Sequence, residues 1–332
     1  MQHPQPVPLT TLVVGAAVAA ASLLLVLPRL RKRPQLRPPA ADEPFELLLS
    51  GVVAAASDVH VVLHPHADRR PHHTMDARLE AVWQERLAAA ASSGGKLFDA
   101  TKFRLHRIRP DPGQRGAVRL ELGLTSYKQY VGTNQLPRAQ RALLEADGIG
   151  DFNDRDAHLS NALGCETVLL TSDEQAVLLR RSARVSAFTG LYNGPSGHAE
   201  PENARISAHG KDGADRCARD ELFGAMVQEV IDETNVPRQA LSAPRLIGAM
   251  CDASRKPDVL FVMRTSLDAE GVRHAYARGA VEGWESDRLA FWPARRLDEC
   301  TLPLTPVTRA AFACLQAAGG VEAAPPLRDS HQ

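Results

Sequence analysis

The stretch QEVIDETNV, residues Gln228–Val236, combines apolar residues at helical spacing with three closely spaced acids. At about 100° per residue, Glu229, Asp232 and Glu233 lie away from an apolar face that begins upstream. That face comprises Leu222, Phe223, Met226, Val227, Val230 and Ile231. Glu229 and Glu233 are one turn apart, and like charges at this spacing cost a helix about 0.2–0.5 kcal/mol. A divalent cation between them would reverse that sign, whereas an ordinary solvated acidic face is the alternative interpretation.

A glycine turn, GPSGHAEPE at Gly194–Glu202, precedes this helix. The turn and the helix together resemble the two halves of the Nudix box, the motif of the Nudix hydrolase family. Gln228 stands where the box has Arg, and Asp232 stands where it has the first Glu of a pair. Gly197 and Glu229 are 32 positions apart, which corresponds to an insertion of about 17 residues relative to the standard box.

Other segments resemble one branch of this family, the UDP-glucose/UDP-galactose pyrophosphatases, in the same order along the chain. They are Asp68–Pro71, Leu97–Ala100, Lys102–His106, Leu122–Tyr127, Gly132–Asn134 and Leu179–Ser182. The resemblance covers roughly residues 58–300. It implies an α/β fold, a Nudix-type α/β/α sandwich with a mixed sheet. It also implies Mg²⁺-dependent hydrolysis of the pyrophosphate bond of UDP-sugars to UMP and sugar 1-phosphate.

The resemblance also implies roles for individual residues. Glu229 and Glu233 would ligate Mg²⁺, which takes a few carboxylate oxygens and leaves room for phosphates and waters. Asp232 is the catalytic candidate, as an additional ligand or by helping to position water. The substrate-binding candidates are Phe98, Tyr127, Arg181, Ser186, Asn193, His198 and Glu200. An aromatic pair can enclose uracil, and a guanidinium can meet a phosphate in fork geometry.

Each substrate assignment has a purely structural alternative. Phe98 and Tyr127 are also residues typical of a core, Arg181 can be a surface charge, and a histidine can cap the glycine turn. Besides Gln228 and Asp232, two further positions depart from the family pattern, since Asn193 replaces an Asp and Ser196 replaces a Gly. The serine is tolerable there only if its φ is negative. The group that takes the proton stays open, with Glu282 and Glu285 as downstream candidates.

Two further functional hypotheses remain. One is a catalytically inactive, membrane-anchored protein that binds nucleotide sugars, which the departures at Gln228, Asp232, Asn193 and Ser196 would permit. The other is a Nudix hydrolase of another nucleoside diphosphate derivative, such as ADP-ribose, coenzyme A or a dinucleotide. The segments around Tyr127 and Arg181 favour UDP-sugars over these.

The composition agrees with a small-molecule substrate. The chain has 39 Lys and Arg against 39 Asp and Glu, so no overall positive field favours nucleic acid. The five cysteines form no C-x-x-C pair, and reduced thiols are expected. The histidines at positions 60, 64, 66, 72 and 73 fit no standard zinc spacing.

The N-terminus differs in kind from the rest. Residues 9–27 carry no charge, and Lys and Arg residues follow at once. An apolar segment of about 20 residues can span a membrane as a helix, and the charge asymmetry predicts a body facing the cytosol. A cleaved targeting peptide, for an organelle or to leave a soluble protein, is the rival interpretation.

The predicted organisation has four parts. Residues 1–32 form a hydrophobic helix that anchors or targets the chain, and residues 33–45 a Pro-rich linker. Residues 46–316 form the hydrolase body, with a family-specific region at 46–160 and a Nudix core at 161–316. Residues 317–332 are predicted to be disordered. Within the body, helices are predicted at 76–91 and 268–278, and strands at 45–54, 102–109, 117–123, 166–171, 175–180 and 258–265.

Overall fold

The computed structural model describes residues 43–92, 97–185, 187–206 and 213–327. Its central sheet has the strand order β1-β9-β10-β5-β6-β11. The strands are β1 (Phe45–Leu49), β5 (Gly164–Leu170), β6 (Gln175–Arg181), β9 (Arg245–Asp252), β10 (Pro257–Arg264) and β11 (Ser286–Pro293). β10 pairs in parallel with β5, and the other neighbours on this path are antiparallel, so the sheet is mixed.

Two helices cover opposite faces of this sheet. α4 (Ala214–Thr234) packs on one face and α6 (Pro306–Ala317) on the other. Side chains alternate along a strand, so Val259 and Phe261 of β10 join the α4 layer while Leu260 and Val262 join the α6 layer. The rings of Phe223 and Phe261 meet at 5.2 Å between centroids. Burial on both faces produces the layered α/β arrangement that the resemblance implied.

A smaller sheet with the order β2-β4-β3 forms most of the N-terminal region. Its strands are β2 (Val59–Leu63), β3 (Thr101–Pro110) and β4 (Val118–Ser126). The helices of this region are α1 (His73–Ser92), α2 (Tyr127–Gly132) and α3 (Arg138–Phe152). β2 also contacts α4, so the small sheet lies against the same helix as one face of the large sheet.

Most of the predicted elements are confirmed with small shifts in their bounds. The helix predicted at 268–278 is α5 (Ala269–Ala277), begun by Asp268, whose side chain accepts a hydrogen bond from Gly271 N–H at 2.8 Å. α2, α3 and α6 were not predicted. The predicted disorder from residue 317 is wrong for the residues described there. Val321 is 3% exposed and packs with α6, because this short apolar segment completes the layer beneath the sheet.

The predicted N-terminal helix lies outside the described residues, as does the end of the tail beyond residue 327. Within the ranges that are described, no helix combines the length and hydrophobicity that a membrane crossing requires.

Candidate functional site

α4 carries the acidic residues and ends at Thr234. Asn235 caps the helix with a left-handed φ of 57°, and its N–H donates to the carbonyl of Ile231 at 2.7 Å. Asn tolerates this conformation better than most residues. Its side-chain amide also donates to the carbonyl of Ala275 at 2.9 Å, which ties the end of α4 to α5.

The glycine turn lies directly over the acids of α4. Its two short strands, β7 (Tyr192–Asn193) and β8 (Ser196–Gly197), pair with β6 and β5 of the central sheet. The N–H of Ser196 donates to Glu233 Oε2 at 3.2 Å, and the N–H of His198 donates to Glu229 Oε1 at 3.3 Å. Two main-chain donors therefore orient the two carboxylates despite the long segment between turn and helix.

Gly197 is required by space. A Cβ at this position would lie 1.9 Å from Glu229 Oε1 and 2.1 Å from Glu229 Cδ. Gly197 is not among the glycines with positive φ, so its backbone conformation does not require a glycine. A side chain is excluded because the Glu229 carboxylate is so close. Ser196, which replaces a family glycine, is likewise outside the positive-φ residues, so the condition stated for it is met.

Burial and crowding of negative charge shift the titration of both carboxylates. The pKa of Glu229 rises to about 8, first because of burial and then because of the nearby charge of Glu282. The pKa of Glu233, which is 4% exposed, lies well above its usual value because of burial, Glu229 and Glu285. Burial and charge repulsion also raise the pKa values of Glu282 and Glu285. Such a concentration of acids is typical of a site that receives positive charge.

Asp232 lies beside this pair but is bonded differently. Its Oδ1 accepts a hydrogen bond from Gln228 Nε2 at 2.9 Å on the exposed side of the helix. Its carbonyl accepts from the N–H of Glu282 at 2.9 Å, which holds the loop that carries Glu282 and Glu285. The Nudix-box position of Asp232 thus connects the helix to a second group of acids.

Two substrate candidates, Arg181 and Asn193, lie at the edge of the glycine turn. Arg181 ends β6, its N–H donates to the carbonyl of Leu191, and its Nε donates to the carbonyl of Ala187, both at 2.9 Å. Asn193 is 4% exposed and donates through Nδ2 to Ser196 Oγ at 2.8 Å. Asn193 and Ser196, which both depart from the family pattern, therefore bond to each other. Ser186 lies outside the described residues.

His198 and Glu200 follow the turn on its other side. Burial lowers the pKa of His198 well below its usual value, and the charges of Lys256 and Lys102 lower it further. The N–H of Glu200 donates to Glu221 Oε1 on α4 at 3.1 Å, and its carboxylate forms an ion pair with Lys102.

Phe98 and Tyr127 lie at the end of the small sheet. The Tyr127 ring packs edge-on against Trp83 at 6.2 Å, and its N–H donates to the carbonyl of Ala100 at 2.9 Å. Phe98 is 75% exposed, so its side chain is not part of the core. The alternative of two core aromatics therefore fails for Phe98, while Tyr127 is held by a core residue.

Comparison with known proteins agrees with these observations. The chain is 36% identical over 249 residues to uridine diphosphate glucose pyrophosphatase NUDT22 of Mus musculus, covering 72% of this chain and 77% of that protein. Identity to the Homo sapiens protein of the same name is 38% over 239 residues, covering 70% and 77%. Nudix hydrolase 9 of Arabidopsis thaliana is 30% identical over 261 residues, covering 74% and 81%. The chain belongs to the Nudix hydrolase family.

No protein-family model matches the chain. A solved NUDIX hydrolase from Alicyclobacillus acidocaldarius has a TM-score of 0.33 and 16% identity, covering 48% of this chain and 93% of that one. As a Nudix hydrolase, the protein is an enzyme. We call α4, which carries the segment that resembles the second half of the Nudix box, the Nudix helix. Across the described ranges, no group of three or more His, Cys, Asp or Glu side chains is arranged to hold a metal ion.

Two charged residues that were assigned no role from the sequence lie close to this Nudix site. Lys102 belongs to a segment that carried the family resemblance, yet only its ion pair with Glu200 reveals its position. Glu166 is 1% exposed in β5 and accepts a hydrogen bond from Gly194 N–H at 3.3 Å. An acid within an apolar strand was the available signal for Glu166.

The histidine run does not gather into one site. His60 pairs with Asp111 at 2.7 Å, and His72 pairs with Asp147 at 2.9 Å. His64 and His66 contact each other. The five cysteines are free thiols, as expected.

Proposed function

We propose that this Nudix hydrolase cleaves the pyrophosphate bond of UDP-sugars, including UDP-glucose and UDP-galactose, in a Mg²⁺-dependent reaction. The products are UMP and sugar 1-phosphate, formed when water attacks one phosphorus. One observation carries the proposal: Ser196 and His198 N–H groups hold Glu233 and Glu229 together beneath the glycine turn. The names of the relatives with 36–38% identity support the UDP-sugar class.

Glu229 and Glu233 are the proposed Mg²⁺ ligands. Mg²⁺ is commonly bound by one or two carboxylates together with substrate phosphates and waters, so two glutamates meet its demand. The pKa values of both groups are raised by burial and by the charges of neighbouring acids, which a divalent cation would offset. When bound, the ion neutralises charge on the phosphate oxygens and orients them.

The substrate residues divide into an aromatic and a polar set. Phe98 and Tyr127 are proposed to enclose the uracil, which requires an exposed ring that is free to meet a base. The polar set is proposed to hold phosphates and hydroxyl groups; it comprises Arg181, Ser186, Asn193, His198 and Glu200. Arg181 suits a phosphate because its guanidinium offers paired donors.

Glu285 and Glu282 are the candidates for the general base, with Asp232 helping to orient water. The carbonyl of Glu285 accepts from the N–H of Ser182 at 2.7 Å, which anchors it next to Arg181. A carboxylate with a raised pKa is a stronger base than an ordinary one, so burial of Glu285 suits this role.

The experiment is incubation of the full chain with UDP-glucose, with and without Mg²⁺, followed by measurement of UMP. UMP that forms only with Mg²⁺ supports the proposal, and UDP-galactose in parallel tests the sugar range. Binding without UMP favours the inactive binding protein. Absence of both turnover and binding favours a different nucleoside diphosphate derivative, to be sought with ADP-ribose, coenzyme A and dinucleotides.

The apolar N-terminal segment leads to a separate proposal, that it anchors the enzyme in a membrane with the catalytic body facing the cytosol. Its support is the uncharged stretch at 9–27 followed by positive charge. Fractionation of cells that express the full chain, beside a variant lacking residues 1–42, tests it. Recovery of both proteins in the same soluble fraction contradicts the anchor.

A further inference from the structure

Two lysines lie near His198, and their environments differ. Both are close enough that their positive charges depress the pKa of the imidazole. Lys256 lies in the turn between β9 and β10, and Lys102 lies near the start of β3. Of the two, only Lys102 is paired with a candidate substrate residue, Glu200.

Lys256 is held in place by the strands on either side of its turn. Its Nζ donates to Asp258 Oδ1 at 2.5 Å, and its N–H donates to Asp252 Oδ1 at 2.9 Å. A Cβ on Gly164 would lie 2.2 Å from the Lys256 Nζ, so the ammonium fills a space shaped for it. We assign Lys256 a structural role on these contacts.

Lys102 connects two halves of the proposed site. The metal end contains Glu229 and Glu233, and the aromatic end contains Phe98 and Tyr127. Its strand position pairs with Thr125, two residues before Tyr127, and Phe98 lies four residues upstream. The main chain of Lys102 therefore belongs to the aromatic end, while its ammonium reaches Glu200. The N–H of Glu200 is in turn anchored to Glu221 of the Nudix helix.

The acidic side chains of the site are concentrated at the metal end, so a negatively charged diphosphate requires cations beside the glycine turn. Glu229, Glu233, Glu282 and Glu285 crowd the metal end, and Arg181 lies beside them at the end of β6. The glycine turn links the two ends, because its His198 N–H donates to Glu229 and its Glu200 pairs with Lys102, so we expect a diphosphate that joins the ends to lie along it. Lys102 is the cation at that point whose carboxylate partner is itself a substrate candidate.

We propose that Lys102 binds the diphosphate of the substrate by exchanging its ion pair with Glu200 for a phosphate oxygen. The proposal rests on the proposed UDP-sugar substrate. The diphosphate of a UDP-sugar carries two negative charges where the Glu200 carboxylate carries one, and a compact ammonium binds phosphate well as a point charge. The exchange also releases the Glu200 carboxylate to accept hydrogen bonds from hydroxyl groups of the substrate.

The test measures binding of UDP and of uridine to the full chain, with chelator present so that the metal makes no contribution, and compares wild type with Lys102→Met. We expect UDP to bind about tenfold more weakly to the variant, since one charge-assisted contact is lost. Uridine should bind within about twofold of wild type because it has no phosphate. Lys102→Arg should recover most of the UDP affinity, since the charge is kept.

Lys128→Met is the matched control. Lys128 also forms an ion pair with a glutamate, Glu80, and follows Tyr127 directly, yet its side chain points to α1 rather than to the glycine turn. The Lys128→Met variant should bind both UDP and uridine as wild type does. Equal weakening of UDP and uridine by Lys102→Met, or no change in either, overturns the role of Lys102. Failure of wild type to bind UDP or to release UMP from UDP-glucose contradicts the substrate class itself.

Discussion

The two halves of the site are built in different ways. At the metal end, main-chain N–H groups of Ser196 and His198 hold buried carboxylates, and Gly197 lies in contact with one of them. At the aromatic end, Phe98 is 75% exposed, and none of the described residues encloses it in a comparable way. The metal end is therefore set by backbone positions before substrate arrives, whereas the aromatic end depends on side chains. Substitutions at the first end should change kcat, and those at the second should change KM.

Glu233→Gln tests the metal end most directly. Loss of a ligand removes several kcal/mol of charge stabilisation in the transition state, so kcat should fall by about a thousandfold. Gln has nearly the same shape and can still accept the hydrogen bond from Ser196, so the melting temperature should not fall. Steady-state release of UMP measures the effect. Asp220→Asn is the control on the same helix, because Asp220 is exposed and pairs with Arg219; activity that survives Glu233→Gln contradicts the metal assignment.

Gly197→Ala asks whether the metal end depends on close backbone contact. The added Cβ would overlap the Glu229 carboxylate, and a displacement of about 1 Å in a catalytic group can reduce the rate by about a hundredfold. The matched control is Gly224→Ala on the Nudix helix, where a Cβ meets nothing within 4 Å. The control should retain kcat and gain about 0.5–1 kcal/mol of stability from helix propensity. Equal kcat values for the two variants would contradict the spatial argument.

Phe98→Ala tests the aromatic end. Stacking of a base on an aromatic ring contributes about 1–3 kcal/mol, so KM for UDP-glucose should rise about tenfold while kcat stays near wild type. The melting temperature should stay unchanged because the ring is exposed. Phe152→Ala, at a half-exposed phenylalanine at the end of α3, serves as control. A lower kcat at unchanged KM would mean that the two halves are not separable in this way.

Glu166→Gln gives the smallest effect and concerns the sheet beneath both halves. Burial raises the pKa of Glu166 from 4.5 to about 8, so the folded protein binds this proton more tightly than the unfolded chain. Stability present below pH 4.5 is therefore lost as the pH rises towards 8. Gln is neutral throughout, so the variant should melt about 3 °C or more above wild type at pH 8.5 and close to it at pH 5. Glu85→Gln, at an exposed site on α1, is the control and should show no such pH dependence. If Glu166→Gln shows none either, the Glu166 carboxylate is ionised in the fold and the prediction is wrong.

The Nudix helix was predictable because its signals are local. Helical spacing of Leu222 to Ile231, acids one turn apart and an Asn followed by Pro lie within about four turns of one helix. The strands β5, β6 and β10 were predictable for a similar reason, as short apolar runs. The disorder predicted after residue 316 was wrong for the described residues 317–327, because composition alone does not reveal that Val321 has a layer to pack into.

The sequence by itself determined which side chains are candidates for the chemistry and in what order they occur. Only the tertiary structure decided which of them meet: Ser196 with Glu233, His198 with Glu229, and Lys102 with Glu200. The physical reason is that a helical repeat is fixed by neighbouring residues, whereas these contacts join positions 31 to 98 residues apart. Such contacts depend on the pairing of β5 and β6 with the short strands of the glycine turn, which places the turn over α4. No periodicity along the chain predicts that placement.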